Sequence, residues 1–565
     1  MNTARLAPGA LTLALGFSLA WSPTARAATH TVNSGADAHD AIPGDGVCAT
    51  AAVLCTLRAA VEETEATPGP DTIDGVDEPI TLTLGVLTIT DTLTIVAATT
   101  VDAGGASRIF DVLPGADLDV VGMTMTGGMS PGGGAMRIDG ATVGLSTCTF
   151  TDNHATGAGG AIWAIGGAEV AIGVSAFAAN TAGTLGGAIA VETGSTVELT
   201  STDVMGNTAD AAGGGLLVAG PSSTLTVADG AISGNTSTAD TGGGIAALAG
   251  ASLSVERSAI TGNTAPVSAF GGAGIRVDGA GAVATIDRSV FASNSADGGG
   301  GGGVLASAGA ALTLTNSTVT ANVGGGVKVI TDASATLTHV TIAGNLPSAG
   351  STGVGLSIEG TSGSGVTLGS SIFADGGGCS PTIGSFITAG FNVVTSAWSC
   401  MPGLWGFDDV TGLDPSALKF MPFDGAVIPI SPLSAAAEIV PVCPSVDQIG
   451  TPRDAPCDAG AYEQILECTD VDGDGYAIDG GACGPVDCND DDASIYPFKL
   501  ERIGAPGQIG VDDNCNGFID ICGAIPLKDA ARPFGALLAY AAIGAAFLAR
   551  STRRRRRPLG DGDDR

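Results

Sequence analysis

The chain has 565 residues, of which 89 are Gly; 44 % are hydrophobic, 14 % are charged and only 4 % are aromatic. This hydrophobic share excludes a long disordered chain, and glycine without a three-residue period excludes collagen. The net charge of −35 argues against nucleic acid as a partner, because phosphate binding needs clustered Lys and Arg.

Residues 1–27 have the pattern of a secretory signal peptide. Arg5 precedes the apolar run LTLALGFSLAW, which is followed by Ala25-Arg26-Ala27. A basic start, an apolar run and a small-residue site are typical of secretion, with cleavage after Ala27. We therefore expect an exported protein, located at the cell surface or outside the cell.

Residues 28–110 are predicted to form an N-terminal cap and the first turns of a repeat structure. An amphipathic stretch follows Cys55, with Leu57 and Val61 one helical turn apart. A helix there would cover the open end of a stack of strands, whose edges otherwise invite aggregation. The segment CTLRAAVEE resembles the CSLREAI cap motif of bacterial β-helix proteins, from which Thr56 and Ala59 depart.

Residues 111–463 contain a repeat. The segment FTDNHATGAGGAI recurs as FAANTAGTLGGAI and VMGNTADAAGGGL, at intervals of about 27 residues, and looser copies follow. Within each copy, short runs alternate apolar and polar residues and are separated by Gly, Asn, Asp or Ser, a pattern typical of strands and turns. A repeat this short must stack on its neighbours. The sequence therefore predicts an all-β fold, a parallel β-helix with roughly three strands per turn.

One Asn recurs in every copy and is predicted to be structural. Asn tolerates the left-handed geometry of a tight corner, and stacked amides can hydrogen-bond from turn to turn. The apolar residue three positions earlier is expected to fill one inner column, and the later Gly pair to permit a tight bend. The predicted stack comprises Asn153, Asn180, Asn207, Asn235, Asn263, Asn294, Asn322 and Asn345.

The repeat resembles two known groups. FxxN followed by GGAI is similar to the polymorphic outer-membrane protein repeat, which implies a right-handed parallel β-helix; the chain lacks that family's C-terminal membrane barrel. FNVVTS, SPLSAAAE and DQIGTPRDAPCDAGAYE resemble the end of the choice-of-anchor Q domain, with Ile449 where Arg is common. In that family a β-helix precedes one of several surface anchors.

Cysteines in an exported chain favour disulfides. Nearest-neighbour reasoning pairs Cys48 with Cys55, Cys379 with Cys400, and Cys443 with Cys457, although sequence alone leaves the connectivity open. Cys148 lies inside a repeat strand and is expected to be a buried free thiol. The remaining candidates are Cys468, Cys483, Cys488 and Cys515.

Residues 468–522 form a small acidic module. Asp470, Asp472 and Asp474 alternate and precede Gly475, as in positions 1, 3, 5 and 6 of a calcium loop. Position 12 is Gly481, so other oxygens must complete the site, and zinc is disfavoured because the module has no His. The further candidate ligands are Asp487, Asn489, Asp491, Asp512, Asn514 and Asp520.

The module also resembles the metal-binding repeat of bacterial surface proteins, in which such Asp and Asn are taken to bind calcium. The matching segments are DCNDDDASIYP and DDNCNGFID, with FKLERIGAPGQIG where that repeat has Glu-x-Cys. We therefore expect Ca²⁺ and a module stabilised by disulfides and calcium. The alternative is a solvated acidic linker.

The C-terminus ends in an apolar segment and a basic tail. Residues 533–549 are apolar, and residues 550–565 include Arg550 and the run Arg553–Arg557. Seventeen residues is the short limit for a membrane span, and the Arg cluster would stay inside. The pattern resembles bacterial C-terminal sorting signals, so we predict a hydrophobic helix that contacts the membrane, retained or later cleaved. The alternative is a buried helix with a solvated charge run.

Two function classes remain open. The first is a non-enzymatic, adhesin-like surface protein that binds an extracellular glycan or surface protein and has a calcium-binding stalk. The second is a polysaccharide lyase or glycoside hydrolase, since fold alone does not decide function. The best catalytic hint is that Arg276 and Lys328 each follow a Gly-rich turn and could share a face two turns apart. No catalytic residue is assigned.

Overall fold

The computed structural model describes residues 27–75, 78–239, 242–266, 271–296, 301–347, 355–359, 363–375, 378–379, 385–395, 408–413, 415–418, 427–430, 434–453, 455–464, 471–472, 476, 487–489, 491–497 and 515. The predicted signal peptide and the predicted C-terminal helix and tail lie outside these residues. Within the described part of the chain, no helix is both long and apolar enough to cross a membrane.

The described chain winds into a parallel β-helix, and each full turn, called a rung, contributes up to four strands. These strands form three sheets of 26, 12 and 7 strands. We call the two halves of the largest sheet B and C, the 12-stranded sheet A and the 7-stranded sheet D. Every strand pairs in parallel with its counterpart on the next rung. The sequence predicted about three strands per rung. The fourth strand has only two residues, too short to show an alternating pattern.

Sheet A has twelve strands: Leu87–Ile89, Phe110–Val112, Met136–Asp139, Ile162–Ile165, Ile189–Val191, Leu216–Ala219, Ile245–Leu248, Ile275–Asp278, Val304–Ser307, Val327–Ile330, Leu356–Glu359 and Gly378–Cys379. Sheet D has the seven two-residue strands: Met129–Ser130, His154–Ala155, Thr181–Ala182, Thr208–Ala209, Thr236–Ser237, Thr264–Ala265 and Ser295–Ala296.

Sheet B consists of Thr29–Val32, Asp71–Gly75, Thr92–Val96, Asp117–Val121, Thr142–Ser146, Glu169–Gly173, Thr196–Thr200, Thr224–Ala228, Ser252–Glu256, Val283–Asp287, Gly365–Gly369 and Ser385–Thr388. Sheet C consists of Ile80–Thr81, Thr100–Asp102, Thr124–Thr126, Thr149–Thr151, Ala176–Ala178, Asp203–Met205, Ala231–Ser233, Ala259–Thr261, Val290–Ala292, Ile372–Phe373, Val393–Thr395 and Val410–Leu413. The long strands Ala311–Thr320 and Ser334–Ala343 bend through both sheets.

The core is the inside of the tube. In the strand Thr196–Thr200, Val197 and Leu199 are buried inside the tube, and the first, third and fifth residues face outward. The apolar residue three positions before each repeated Asn lies in a sheet C strand and points into the tube. In this inner column Phe150 stacks on Phe177, with ring centroids 4.6 Å apart. The period-two alternation thus encloses one continuous apolar column.

The paired glycines are required where the chain enters sheet A. Gly186 has φ +65°, and a Cβ there would lie 2.4 Å from the carbonyl oxygen of Ile189. A Cβ on Gly187 would lie 1.9 Å from the carbonyl oxygen of Gly214 on the next rung. The first Gly therefore permits the bend, and the second permits two rungs to approach.

A cap covers the first rung. The helix α1 (Leu57–Ala66) begins after Thr56, whose hydroxyl accepts a hydrogen bond from Ala59 N. Leu57 and Val61 are buried in the apolar core of the tube. Arg58 pairs with Asp37 at 2.6 Å, and both side chains are almost fully buried. The second helical element is the short 3-10 helix Pro415–Leu418.

The chain folds back after the last rung. Residues 434–453 and 455–464, called the strap, lie against the outer side of sheet C at its C-terminal rungs. Ala436, Val440 and Ala459 of the strap pack with Ile372 and Val393 of the rungs. Outward residues of sheet C are therefore buried here, unlike those on earlier rungs.

Candidate functional site

The outer face of sheet A gathers the charged and aromatic side chains that could recognise a ligand. Odd strand positions point inward and are apolar, so the second and fourth positions face out. Successive rungs place Asp111, Arg137 and Trp163 in one outward column. Asp139, two residues after Arg137, begins the neighbouring outward column.

Ion pairs organise the first part of this face. Arg137 donates to Asp111 Oδ1 at 3.2 Å and to Asp139 Oδ2 at 2.5 Å. Arg108 donates to the same Asp111 oxygen at 2.7 Å. These four side chains are roughly one quarter exposed or less, so the guanidinium and carboxylate groups have fixed positions but remain reachable from solvent.

Trp163 lies next to this cluster and is half-buried. Its indole Nε1 donates to Glu192 Oε2 on the next rung at 2.7 Å. Gly132 packs against the ring, because a Cβ there would lie 2.6 Å from the indole Cε3. Among the described residues of the sheet A strands, Trp163 is the one aromatic side chain at an outward position. Its ring is held in place from two sides.

Loops cover the middle of the face. Ala190, Leu217 and Ala246 continue the outward column but are fully buried, because Leu185 and Ala212 of the Gly-rich loops pack on them. Trp163 packs against the edge of this apolar cluster and remains half-buried. The accessible site is the region around Arg137, Asp139, Trp163 and Glu192, which we call the Trp163 site.

Arg276 and Lys328, the best catalytic hint of the sequence, lie in the same outward column with Leu305 between them. Each has an acidic neighbour: Arg276 is 3.3 Å from Asp278, and Lys328 is 3.1 Å from Glu359. Lys328 is also nearly fully buried. The two cations share a face, but both are engaged in ion pairs and neither is a free base.

The eight repeated Asn lie in one buried column. In the first seven, Nδ2 donates to the Oδ1 of the next Asn, at 3.0 Å from Asn153 to Asn180 and 2.9 Å from Asn180 to Asn207. The backbone N–H of each Asn donates to the same oxygen. The corner residues just before the column adopt positive φ, for example Ala179 at +55°. The geometry gives these Asn a structural role.

Disulfides join Cys48 to Cys55, Cys443 to Cys457, and Cys488 to Cys515. Cys379 ends the last strand of sheet A, but its predicted partner Cys400 and the candidates Cys468 and Cys483 lie outside the described residues. Cys148 is a buried free thiol, and burial raises its pKa to about 11, which leaves it protonated and unreactive.

The acidic module is described only in part. Asp472, Asp487, Asn489 and Asp491 are described, whereas Asp470, Asp474, Asp512, Asn514 and Asp520 lie outside the described residues. Asp487 is almost fully buried, and its Oδ1 accepts a hydrogen bond from Asn489 N at 2.8 Å.

Asp487, Cys488 and Cys515 bring potential ligand atoms within 4.8 Å of one another. Because the two sulfurs form a disulfide, neither is a thiolate ligand. The bridge joins the segment Asp487–Asn489 to Cys515. Oxygen donors of this kind suit a hard cation such as Ca²⁺.

Two functional features escaped sequence reasoning. Trp163 directly follows the GGAI motif, where the next two copies have Ala and Leu, and this contrast within the repeat was the available signal. Arg453 lies in the segment DQIGTPRDAPCDAGAYE, but the sequence did not predict its role, because its partners are side chains and carbonyls five to ten residues away.

Comparisons with known proteins agree with the architecture. Residues 182–347 match the family model described as "Right handed beta helix region". The crystal structure of pectate lyase Pel9A is similar at 14 % identity over 78 % of this chain and 97 % of that chain, with a TM-score of 0.30. The chain matches no curated protein. The described chain is thus a parallel β-helix, and its residues 182–347 are similar to the right-handed β-helix family.

Proposed function

We propose that the protein is an exported, non-enzymatic β-helix of adhesive type that binds a glycan at the Trp163 site. The observation that carries the proposal is the indole of Trp163, outward-facing on sheet A and held by Glu192. A sugar offers an apolar ring face and a rim of hydroxyl groups. An aromatic ring flanked by hydrogen-bonding groups complements both.

The polar groups around the ring have the required chemistry. Asp139 and Glu192 offer acceptors, and the guanidinium of Arg137 offers several N–H donors. Because the ion pairs already position these groups, little ordering is needed on binding. The disulfides of the described chain are typical of oxidising compartments, which supports an extracellular location.

Catalysis has less support. A lyase needs a base free to accept a proton, and a hydrolase needs two carboxyl groups at a suitable separation. Arg276 and Lys328 are both in ion pairs with carboxylates. Binding therefore remains the function that the described side chains favour.

The acidic module is proposed to bind Ca²⁺ near the C-terminal, anchor-proximal end of the protein. The oxygen-rich ligand set and the Cys488–Cys515 bridge support this proposal. The apolar helix predicted at 533–549 would attach the protein to the membrane, at least before processing.

The glycan proposal is tested by titrating oligosaccharides, acidic and neutral, into the purified exported protein in a calorimeter. Wild type is compared with Trp163→Ala, with Trp163→Phe, and with Thr226→Ala on sheet B as the control. We expect binding to be lost with Trp163→Ala, weakened with Trp163→Phe, and unchanged with Thr226→Ala. Unaltered affinity in a folded Trp163→Ala protein would refute the site.

A further inference from the structure

The strap is attached to the β-helix in a different way from every rung. Rungs are joined by ladders of backbone hydrogen bonds, whereas the strap reaches sheet C through a few side-chain contacts. Gln448 Oε1 accepts from Thr318 Oγ1 at 2.6 Å, and Ala461 N donates to Thr341 Oγ1 at 3.0 Å. One backbone bond adds to these, from Gly460 N to the carbonyl of Ser370 at 2.8 Å.

Gly460 is the point of closest approach. Its φ is +93°, and a Cβ there would lie 2.6 Å from Thr341 Oγ1 and 2.7 Å from Ile372 Cδ1. Only a residue without a side chain fits in this conformation against the sheet.

Arg453 holds the strap in its folded form. Its guanidinium is fully buried and donates to Glu463 Oε2 at 2.9 Å, to the carbonyl of Asp458 at 3.0 Å and to the carbonyl of Gly460 at 2.8 Å. Asp447, also buried, accepts from the backbone N–H of Glu463. A buried cation with these partners specifies one geometry and is costly to disturb.

A set of unpartnered polar atoms lies where the strap meets the β-helix. His339 Nδ1, Asn316 Oδ1 and Arg453 Nε are buried without a hydrogen-bond partner. Asn316 and His339 occupy the same corner on successive rungs, and His339 bonds to the backbone of Gly460 and Asp458. Burial lowers the pKa of His339 to about 3, so the ring is neutral and Nδ1 is an acceptor.

These atoms are two acceptors and one donor. The contact between strap and rungs therefore leaves buried polar groups without partners beside its apolar packing, which weakens it.

The strap also carries the acidic module. Ile449 and Tyr462 of the strap pack with Tyr476 and Tyr496 of the module, and the two module rings stack with centroids 5.7 Å apart. The module thus contacts the strap rather than hanging from a free linker.

We propose that the strap is a latch, closed by Arg453, whose opening frees the acidic module from the β-helix in one step while the rungs remain folded. The rungs keep their own backbone ladders without it. The latch would let the anchor-proximal end move without unfolding the ligand-binding face.

Hydrogen exchange read by mass spectrometry on the full exported protein tests this proposal. Two variants open the latch by different means: Arg453→Met removes the charge, and Gly460→Ala forces a Cβ against Thr341 and Ile372. Gly450→Ala is the matched control, because Gly450 has φ +95° in the same strap with nothing within 4 Å.

In both variants we expect about tenfold faster exchange at Ala461 and Glu463 in the strap and at residues 491–497 in the module. The Asn180 and Asn207 amides of the rungs should keep their protection, and Gly450→Ala should speed strap exchange less than Gly460→Ala does, because it adds backbone strain without a steric clash. Loss of protection in the rungs together with the strap would overturn the proposal, since strap and rungs would then be one unit. Unchanged strap exchange in Gly460→Ala would overturn it as well.

Discussion

Asn345 Nδ2 donates to Asp375 Oδ2 at 2.8 Å, and this contact ends the asparagine column. Asp375 also accepts from the backbone N–H groups of Asn345 and Gly344. Every earlier side chain of the column accepts a hydrogen bond from one rung and donates one to the next, which an amide can do and a carboxylate cannot. The last member only accepts, and a carboxylate serves there although burial raises its pKa.

The amide column predicts a large effect of breaking it in the middle. Asn207→Ala leaves the Nδ2 and backbone N–H of Asn180 without an acceptor, so the free energy of unfolding should fall by about 2–4 kcal/mol. Asn207→Asp should be no better, because a carboxylate cannot donate to Asn235. Denaturant unfolding measures both, with Thr200→Ala on the surface as control. An Asn207→Ala protein as stable as this control would contradict the role of the column.

The glycine pairs predict a difference between two otherwise similar substitutions. Gly187→Ala puts a Cβ 1.9 Å from a backbone oxygen of the next rung, so we expect a loss of more than about 3 kcal/mol or failure to fold. Gly194→Ala has φ +78° but nothing within 4 Å, so only backbone strain of about 1–2 kcal/mol is expected. Thermal unfolding of both proteins gives the comparison, and equal losses would count against the close approach of rungs.

The Trp163 site can be disturbed without changing any ligand-binding group. Gly132→Ala adds a Cβ 2.6 Å from the indole Cε3 and should displace the ring. We expect about tenfold weaker glycan binding, with little change in the melting temperature, because Gly132 lies outside the strands and the three atoms nearest to its Cβ all belong to the Trp163 ring. Titration calorimetry and thermal unfolding measure the two effects. Binding at wild-type strength would show that the ring position is not important.

Asp119 predicts a pH dependence of stability. Burial, with a smaller contribution from Asp117, raises the pKa of Asp119 to about 6. The protonated Asp119 carboxyl is favoured in the folded state, so its contribution to stability is fully present at a pH below its unfolded pKa near 3.8. This contribution is lost as the pH rises through about 6, where the carboxyl ionises in the folded protein. Because the side chain is partly exposed, we expect Asp119→Asn to be about 1 kcal/mol more stable than wild type at pH 8. At pH 4 the advantage should be smaller, and a larger advantage there would reverse the sign that we assign.

Calcium is expected to stabilise the acidic module. A cation that binds only the folded module raises its melting temperature by mass action. Differential scanning calorimetry in millimolar calcium and in chelator should show this shift, and Asp472→Asn with Asp487→Asn should reduce it. The absence of any shift in the wild-type protein would refute the calcium proposal.

The rung architecture was predictable because the same sequence pattern recurs about every 27 residues. Asn263 and Asn294 are separated by 31 residues rather than 27, yet their side chains still bond at 2.9 Å. The extra residues lie in the loops between strands, which can vary in length, so the strands still pair in register with those of the neighbouring rungs. The alternation of apolar and polar residues after GGAI predicted the sheet A strands in the same way.

Contacts between unlike side chains on different rungs were not predictable in this way. Trp163 and Glu192 are 29 residues apart, and only the register of two strands brings them together. Asp375 was missed as the end of the column because it is not Asn and does not continue the motif. The strap was missed for a similar reason, since Arg453 is satisfied by carbonyl groups that any sequence provides.

The most direct test of the central claim is to incubate the purified exported protein with a polysaccharide that it binds and to measure new reducing ends and unsaturated products. We predict that the polysaccharide binds saturably and in a Trp163-dependent way, and that it is not cleaved during prolonged incubation. Formation of either product by the wild-type protein, and its loss on Arg276→Ala or Lys328→Ala, would contradict a non-enzymatic function and favour the lyase or hydrolase alternative.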